Sequence, residues 1–298
     1  MILVTGGNGQ VARWLAHLDP EGVRAVSRDE LDITDRQAVL DLVAEAKPSV
    51  VVNAAAHTAV DKAEDEPDAA ASINRDGAAH VAEAARACGA RLVHISTDYV
   101  FGETSILEQP LGVDHPTAPR SVYGKTKLEG EGAVRAACPD ATIVRTAWVY
   151  TGPGRGELGL IGDDFVTTMA RLEKSHEVLT VVDDQMGSPT FAKDLAAGLL
   201  EAAASDAARG RTLHAAGAGR ATWCDLAKAV FEEIGADPER VRPCTTEDFH
   251  RPAPRPAYSV LSSLEWEECG LTPLRDWRAA VRAAFMRDAP TRDANSTS

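Results

Sequence analysis

The sequence predicts an α/β fold, a doubly wound parallel sheet with a smaller C-terminal lobe. Short apolar runs alternate with helical periodicity through the first half, the pattern of parallel strands covered by helices. A glycine-rich turn, Gly6-Gly7-Asn8-Gly9, joins the first such run to the first helix. After Tyr150 the alternation gives way to glycine-rich and proline-rich stretches, which marks a second, less regular region.

Ile2–Thr5 reads as the first strand and Gln10–Leu18 as the first helix. Val23–Val26 is the second strand, followed by a helix over Arg36–Ala46 with Thr34 or Asp35 as its cap. Residues 49–53 are nearly all valine, as suits a parallel strand buried on both faces. A long alanine-rich helix is expected around 69–87, a fourth strand over 92–96, a helix carrying Tyr123 and Lys127 to about Ala137, and a strand over 142–145. The segment 151–163 holds five glycines and one proline and is expected to be a mobile loop. Residues 178–182 and Ala192–Ala204 read as a further strand and helix that continue the sheet. From Arg211 the pattern is mixed, and Arg251-Pro252-Ala253-Pro254-Arg255-Pro256 is incompatible with a regular helix. These boundaries assign 1–150 and 176–210 to the sheet domain and 151–175 and 211–287 to the smaller lobe. Residues 288–298 form a polar tail expected to lack order.

The chain has 298 residues, 44% of them hydrophobic, enough for one large domain or two that share a cleft. A net charge of −14 argues against nucleic acid or an anionic membrane as the main partner. It leaves room for a phosphate-bearing ligand held by backbone N–H groups and a few basic side chains. No apolar run approaches the roughly 20 residues of a membrane span, and the chain enters its first strand without a basic leader, so a cytoplasmic location is expected. The five cysteines (Cys88, Cys138, Cys224, Cys244, Cys269) lack metal-like spacing and read as reduced thiols. The eight histidines form no H-x-x-H pattern, so no metal site is expected.

Thr5-Gly6-Gly7-Asn8-Gly9-Gln10-Val11-Ala12 matches G-x-G-x-x-A through Gly7, Gly9 and Ala12, and T-G-x-x-G-x-x-A through Gly6 and Gly9. Such glycines permit a tight turn and close approach of backbone to a pyrophosphate, and the helix N-terminus supplies N–H groups and a favourable dipole. In its strand–turn–helix setting the motif reads as the dinucleotide site of a Rossmann sheet. The second strand ends Val26-Ser27-Arg28, with no acid at its tip, and Arg28 is suited to a 2′-phosphate. NADPH is therefore the expected carrier; Asp29 and Glu30 nearby keep NADH as the alternative. Asp32 either touches the adenosine or serves as a cap. Asn53-Ala54-Ala55-Ala56-His57-Thr58 closes the third strand at the edge where ligands bind in such sheets, although His57 alone reads more readily as a structural loop residue.

Ser96-Thr97-Asp98-Tyr99-Val100-Phe101 and Ser121-Val122-Tyr123-Gly124-Lys125-Thr126-Lys127 carry the chemistry. Tyr123 and Lys127 are four residues apart, one turn along one helix face. An ammonium beside a phenol favours the phenolate, so the pair is expected to lower the Tyr123 pKa and to move a proton to a carbonyl oxygen while a dinucleotide delivers hydride.

With these motifs the chain resembles the extended short-chain dehydrogenase/reductases. Further segments narrow the resemblance to the dTDP-4-dehydrorhamnose reductase family: Ala54-Ala55-Ala56-His57-Thr58-Ala59-Val60-Asp61, Arg145-Thr146-Ala147-Trp148-Val149-Tyr150, and Asp184-Gln185-Met186-Gly187-Ser188-Pro189-Thr190. The similarity runs to about residue 283 and includes Arg255-Pro256. It implies Thr97, Tyr123 and Lys127 as catalytic residues, with Lys127 also binding the nicotinamide ribose. It implies cofactor contacts at Gly6, Gly9, Gln10, Val11, Asp32, Ile33, Ala56, His57 and Thr58, beside Arg28 from the reading above. Thr97, Asp98, Tyr99 and Trp148 fall on substrate positions for a dTDP-linked 4-keto-6-deoxy sugar. The implied reaction is NADPH-dependent reduction of C4, giving dTDP-L-rhamnose. Two other readings stand beside it, a ketoreductase for a different nucleotide-deoxysugar and a non-catalytic partner like the methionine adenosyltransferase β subunit. A monomer or homodimer is expected. Some family members dimerise through a metal held by acidic side chains, one of them in the first helix; Trp14 occupies that position here and argues against it.

Overall fold

The computed structural model describes residues 1–153, 158 and 164–286; the tail 288–298 and most of the expected loop 151–163 lie outside the described residues. β1 (Ile2–Thr5), α1 (Gln10–Leu18), β2 (Val23–Val26), α2 (Arg36–Ala46) and β3 (Val50–Asn53) follow one another as the sequence predicts. Asp35, not Thr34, caps α2 by accepting from the Ala38 N–H at 3.1 Å. The expected single helix over 69–87 is three pieces. After α3 (Val60–Asp65), Pro67 starts α4 (Pro67–Ala71), a π-helical turn occupies Ser72–Gly77, and α5 (Ala78–Ala87) completes the run. Then come β4 (Arg91–Thr97), α6 (Val122–Ala137), β5 (Thr142–Thr146), β6 (Val149–Tyr150) and α7 (Phe165–Leu172). The remainder comprises β7 (Leu179–Val182), β8 (Met186–Gly187), β9 (Thr190–Phe191), α8 (Ala192–Ala204), β10 (Thr212–His214), β11 (Ala221–Thr222), α9 (Trp223–Glu233), β12 (Val241–Cys244), α10 (Leu264–Glu268) and α11 (Trp277–Phe285).

The main sheet has six parallel strands in the order β2-β1-β3-β4-β5-β10. The strand order reverses between β1 and β3, which run parallel, and this opens a crevice at their C-terminal ends, the place where such sheets bind ligands. The expectation that 178–182 extends this sheet is corrected: β7 pairs with β12 in a separate parallel ribbon, and the last place in the sheet belongs to β10. An apolar run such as 178–182 fits either sheet, and pairing partners so distant in sequence leave no local signature.

The central strands β3 and β5 bury every residue, as parallel strands under two helical layers must, while the edge strand β2 leaves Arg24 exposed. Val4, Val52, Val93 and Val144 point to the layer of α1 and α8, whereas Leu3, Val51 and Leu92 point to that of α2, α5 and α6. The first of these clusters continues without a break into α7, α9, β12, α10 and α11 through Leu226, Val230, Val241, Trp266 and Val281, so the C-terminal elements share the sheet's core. Trp14 is fully buried against Phe191. The five cysteines are free. Among the described residues no helix is long and apolar enough to cross a membrane.

Candidate active site

Four strand ends converge on the crevice. At β1 the chain turns through Gly6, whose φ of +74° only glycine adopts without strain. A Cβ built there would stand 2.8 Å from the Ala55 backbone, so the turn lies directly against the loop that follows β3. Gly7 N–H donates to Val26 O at 2.8 Å and Gly9 N–H to Gly6 O at 2.8 Å. Gly9 is the N-cap of α1 and offers no side-chain cap, which leaves the first N–H groups of the helix, at Gln10 and Val11, open to an anion. A groove lined by Gly7, Asn8, Arg13, Ser27 and Glu30 runs beside the turn. The cradle and the open helix end fit a dinucleotide pyrophosphate. Gly6→Ala is expected to weaken NADPH binding more than tenfold and to cost about 1–3 kcal/mol of stability, read from a cofactor-binding titration and a thermal melt; wild-type affinity would contradict the placement.

Arg28 and Asp32, just past the end of β2, pair with each other at 3.2 Å, with 72% and 40% of their side chains exposed. Such an exposed pair is weak, so Arg28 can turn to a phosphate at little cost. Asp32 accepts from Thr34 N–H at 3.0 Å and Thr34 Oγ at 2.8 Å, a local cap whose hydrogen bonds hold its carboxyl below the usual range. Ile33 is buried beneath it.

The Ala56, His57 and Thr58 loop is fixed by a residue the sequence reading missed. Asn74, buried in the π-helical turn, accepts from His57 N–H at 2.8 Å and donates to His57 O at 3.3 Å and to Thr126 Oγ at 3.1 Å. It thereby ties this loop to α6. Below it a polar row crosses three strands: Thr5 Oγ donates to Asn53 Oδ1 at 2.7 Å, and Asn53 meets His94 Nδ1 at 3.1 Å. Burial holds His94 neutral, its pKa well below the usual value.

On the far side of the crevice Thr97 ends β4. Its hydroxyl accepts from Tyr99 N–H at 3.2 Å and donates to Asp98 Oδ1 at 3.1 Å. Asp98 is buried; desolvation pushes its carboxyl up to about 6, against the Ser259 and Thr97 hydroxyls, and its Oδ2 has no partner among the described residues. Tyr99 and Tyr123 meet edge to face, ring centroids 5.5 Å apart. α6 opens on Ser121, whose hydroxyl accepts from Gly124 N–H at 3.1 Å, and presents Tyr123 and Lys127 one turn apart. Thr97 and Tyr123 thus meet at the C-terminal end of β4, with the Lys127 ammonium on Ile95 O of the same strand.

The expected charge coupling within that pair is corrected. Desolvation pushes the Tyr123 phenol up to about 12, with the Thr97 hydrogen bond opposing. Lys127 is 2% exposed and its ammonium donates to Ile95 O at 2.7 Å instead of serving the phenol. Burial lowers its pKa to about 8, with Glu131 opposing. Glu131, one further turn along α6, was also missed. It forms a bidentate pair with Arg145 at 2.9 and 2.7 Å and accepts from Ser96 Oγ at 2.5 Å; both charged side chains are 7% exposed.

Two further residues flank these elements, Arg255 from the C-terminal half and Trp148 from the turn after β5. Arg255 pairs bidentately with Asp61, Nη2 to Oδ2 at 2.9 Å, and lies beside Tyr99. Trp148, between β5 and β6, has φ of +46°, a left-handed backbone that costs a non-glycine residue about 1–2 kcal/mol. Its indole stacks on Trp223. The Arg255-Pro256 dipeptide was visible in the sequence, whereas nothing near Trp223 pointed to the site.

Comparison with known proteins places this geometry among relatives. The model of the family described as RmlD substrate binding domain matches residues 1–289. The dTDP-4-dehydrorhamnose reductase of Mycolicibacterium smegmatis is 50% identical over 286 residues, covering 95% of this chain and 84% of the relative. A protein of Streptomyces antibioticus named probable dTDP-4,6-dihydroxy-2-methyloxan-3-one 4-ketoreductase is 47% identical, covering 95% of this chain and 94% of the relative. Among solved structures, the Bacillus anthracis dTDP-4-dehydrorhamnose reductase in complex with NADP superposes with a TM-score of 0.86 at 35% identity, covering 95% of this chain and 98% of the other.

Proposed function

The chain belongs to the RmlD substrate binding domain family, and from that premise we propose that it is an NADPH-dependent oxidoreductase that reduces the C4 ketone of dTDP-4-dehydro-L-rhamnose to dTDP-L-rhamnose. The observation that carries this reading is the convergence of Thr97, Tyr123 and Lys127 on the strand ends opposite the Gly6 turn. Reduced nicotinamide supplies the hydride to C4. The backbone of 6–11 and the open end of α1 hold the pyrophosphate, and Arg28 takes the 2′-phosphate. Lys127 spends one of its three N–H donors on Ile95 O, which leaves two for the nicotinamide ribose. Thr97 turns its one O–H from Asp98 to O4 to steady it, and Tyr123 protonates it. A phenol with its pKa pushed up to about 12 is fully protonated at neutral pH, which suits a donor in the reducing direction. We assign the sugar nucleotide to the space between the sheet's C-terminal edge, which offers Asp98, Tyr99 and Trp148 as contacts, and the lobe of 151–175 and 211–287, strand β10 excepted.

The Streptomyces antibioticus relative supports a second reading, the same chemistry on another deoxysugar nucleotide. The intact Thr97, Tyr123 and Lys127 argue against a purely regulatory binding role. Turnover of NADPH with dTDP-4-dehydro-L-rhamnose against other dTDP-4-keto sugars tests the choice; preference for another sugar would overturn the assigned substrate. Arg28→Ala is expected to lower kcat/KM for NADPH about 10- to 100-fold, as loss of a charge-assisted contact should, and to leave NADH almost unaffected. Equal loss with both cofactors would remove Arg28 from the phosphate site.

A further inference from the structure

Trp223 stacks on Trp148 with ring centroids 3.6 Å apart and planes 8° from parallel. This is closer and flatter than most aromatic pairs, which prefer offset or edge-on contacts. It covers one whole face of an indole whose backbone is strained, and a strained residue persists only when its surroundings over-determine it. Trp223 is itself held from several directions. Phe165 packs on it at 4.7 Å. Its Nε1–H donates to Gln185 Oε1 at 3.2 Å, and Gln185 Nε2 donates to Thr246 Oγ at 3.0 Å. It is the first residue of α9, behind a capping box between Thr222 and Asp225, and Thr222 Oγ donates to Asp183 Oδ1 at 2.6 Å. Gly187, paired with Ala221 on the neighbouring strand, completes the seat: a Cβ there would lie 2.5 to 2.8 Å from the Trp148 ring atoms. A bare backbone at 187 is therefore a condition of the observed ring position. Trp148 and Trp223 both remain partly exposed.

We propose that Trp223 is a positioning residue for the sugar site, clamping Trp148 in its left-handed conformation so that the exposed part of the Trp148 indole meets the apolar face of a 6-deoxy sugar. The inference rests on the sugar-nucleotide reading above. A sugar carrying a methyl group at C6 presents C–H-rich surface, which packs on an aromatic wall without needing a hydrogen bond from it. A wall held rigidly before binding spares the ordering of a side chain on association. The clamp therefore acts on affinity for the sugar nucleotide, while the proton donor and the hydride path stay as they are.

Steady-state kinetics with dTDP-4-dehydro-L-rhamnose, NADPH-binding titrations and circular dichroism of the same proteins test this together. Trp223→Ala is expected to raise the sugar-nucleotide KM about tenfold, with kcat and NADPH affinity close to wild type, and Trp223→Phe to restore most of the loss. Gly187→Ala, which keeps both indoles but displaces one, is expected to raise KM in the same way. The stacked pair should give an exciton-coupled band that Trp223→Ala and Trp148→Ala abolish alike. An unchanged KM in Trp223→Ala with that band gone overturns the clamp alone. Absence of turnover by the wild-type protein overturns the sugar-nucleotide reading and the clamp with it. If Trp223→Ala does not fold, Gly187→Ala decides: unchanged KM there overturns the proposal.

Discussion

Tyr123→Phe is expected to lower kcat about a thousandfold or more, the scale of a lost general acid, while leaving NADPH affinity close to wild type. The substitution removes one oxygen and keeps the ring. The edge-to-face contact with Tyr99 at 5.5 Å and the cap of α6 at Ser121 survive, so loss of activity without loss of binding isolates the proton. The pH dependence separates the two members of the pair. Tyr123, pushed up to about 12, keeps its proton across the working range. Lys127, lowered to about 8, passes from ammonium to amine as pH rises through that value. Free-enzyme kcat/KM should therefore fall on the alkaline side of about 8, with Lys127 as the group that titrates. A limb placed instead near the pKa of an unperturbed lysine would contradict the desolvated lysine.

Glu131→Ala is expected to have the largest effect on stability, about 3–5 kcal/mol, out of a total that for most domains is about 5–15 kcal/mol. Removing the carboxylate leaves the Arg145 guanidinium buried and unpaired and takes the acceptor from Ser96. Arg145 retains Val113 O at 3.2 Å and the Phe101 ring, which do not neutralise it. The cost follows from stranding one charge, so replacing both partners together with apolar residues should cost much less than the sum. Urea unfolding of the two single variants and the double variant measures this; additive single losses would contradict a coupled pair. Because Glu131 and Lys127 share a face of α6, the single variant should also shift the alkaline limb of activity to lower pH, as removal of a negative charge disfavours the ammonium.

The parts of the site that were legible in the sequence are those set by local geometry. The Gly6 turn, the strand ends at Asn53 and Thr97 and the Tyr123–Lys127 spacing each follow from chain periodicity within a few residues. What was not legible depends on contacts between distant segments. Spacing puts Tyr123 and Lys127 on one face but does not say where the ammonium points, and Ile95 O, 32 residues away in sequence, claims it. Asn74 gains its role only because a π-helical turn aims it at His57 and Thr126. β7 leaves the main sheet to pair with β12, and the place expected for it goes to β10, in a stretch whose mixed pattern carried no strand signal. Trp223 reads as an ordinary first residue of an amphipathic helix until Trp148 is found against it.

The measurement that bears most directly on the central claim is deuterium transfer from nicotinamide-labelled NADPH to dTDP-4-dehydro-L-rhamnose, with the product resolved by NMR. The account predicts dTDP-L-rhamnose carrying deuterium at C4 with the wild-type protein, and almost none with Tyr123→Phe at the same cofactor occupancy. Deuterium at C4 formed equally fast by the variant would contradict Tyr123 as the proton donor, and no labelled product from either protein would contradict the reductase itself.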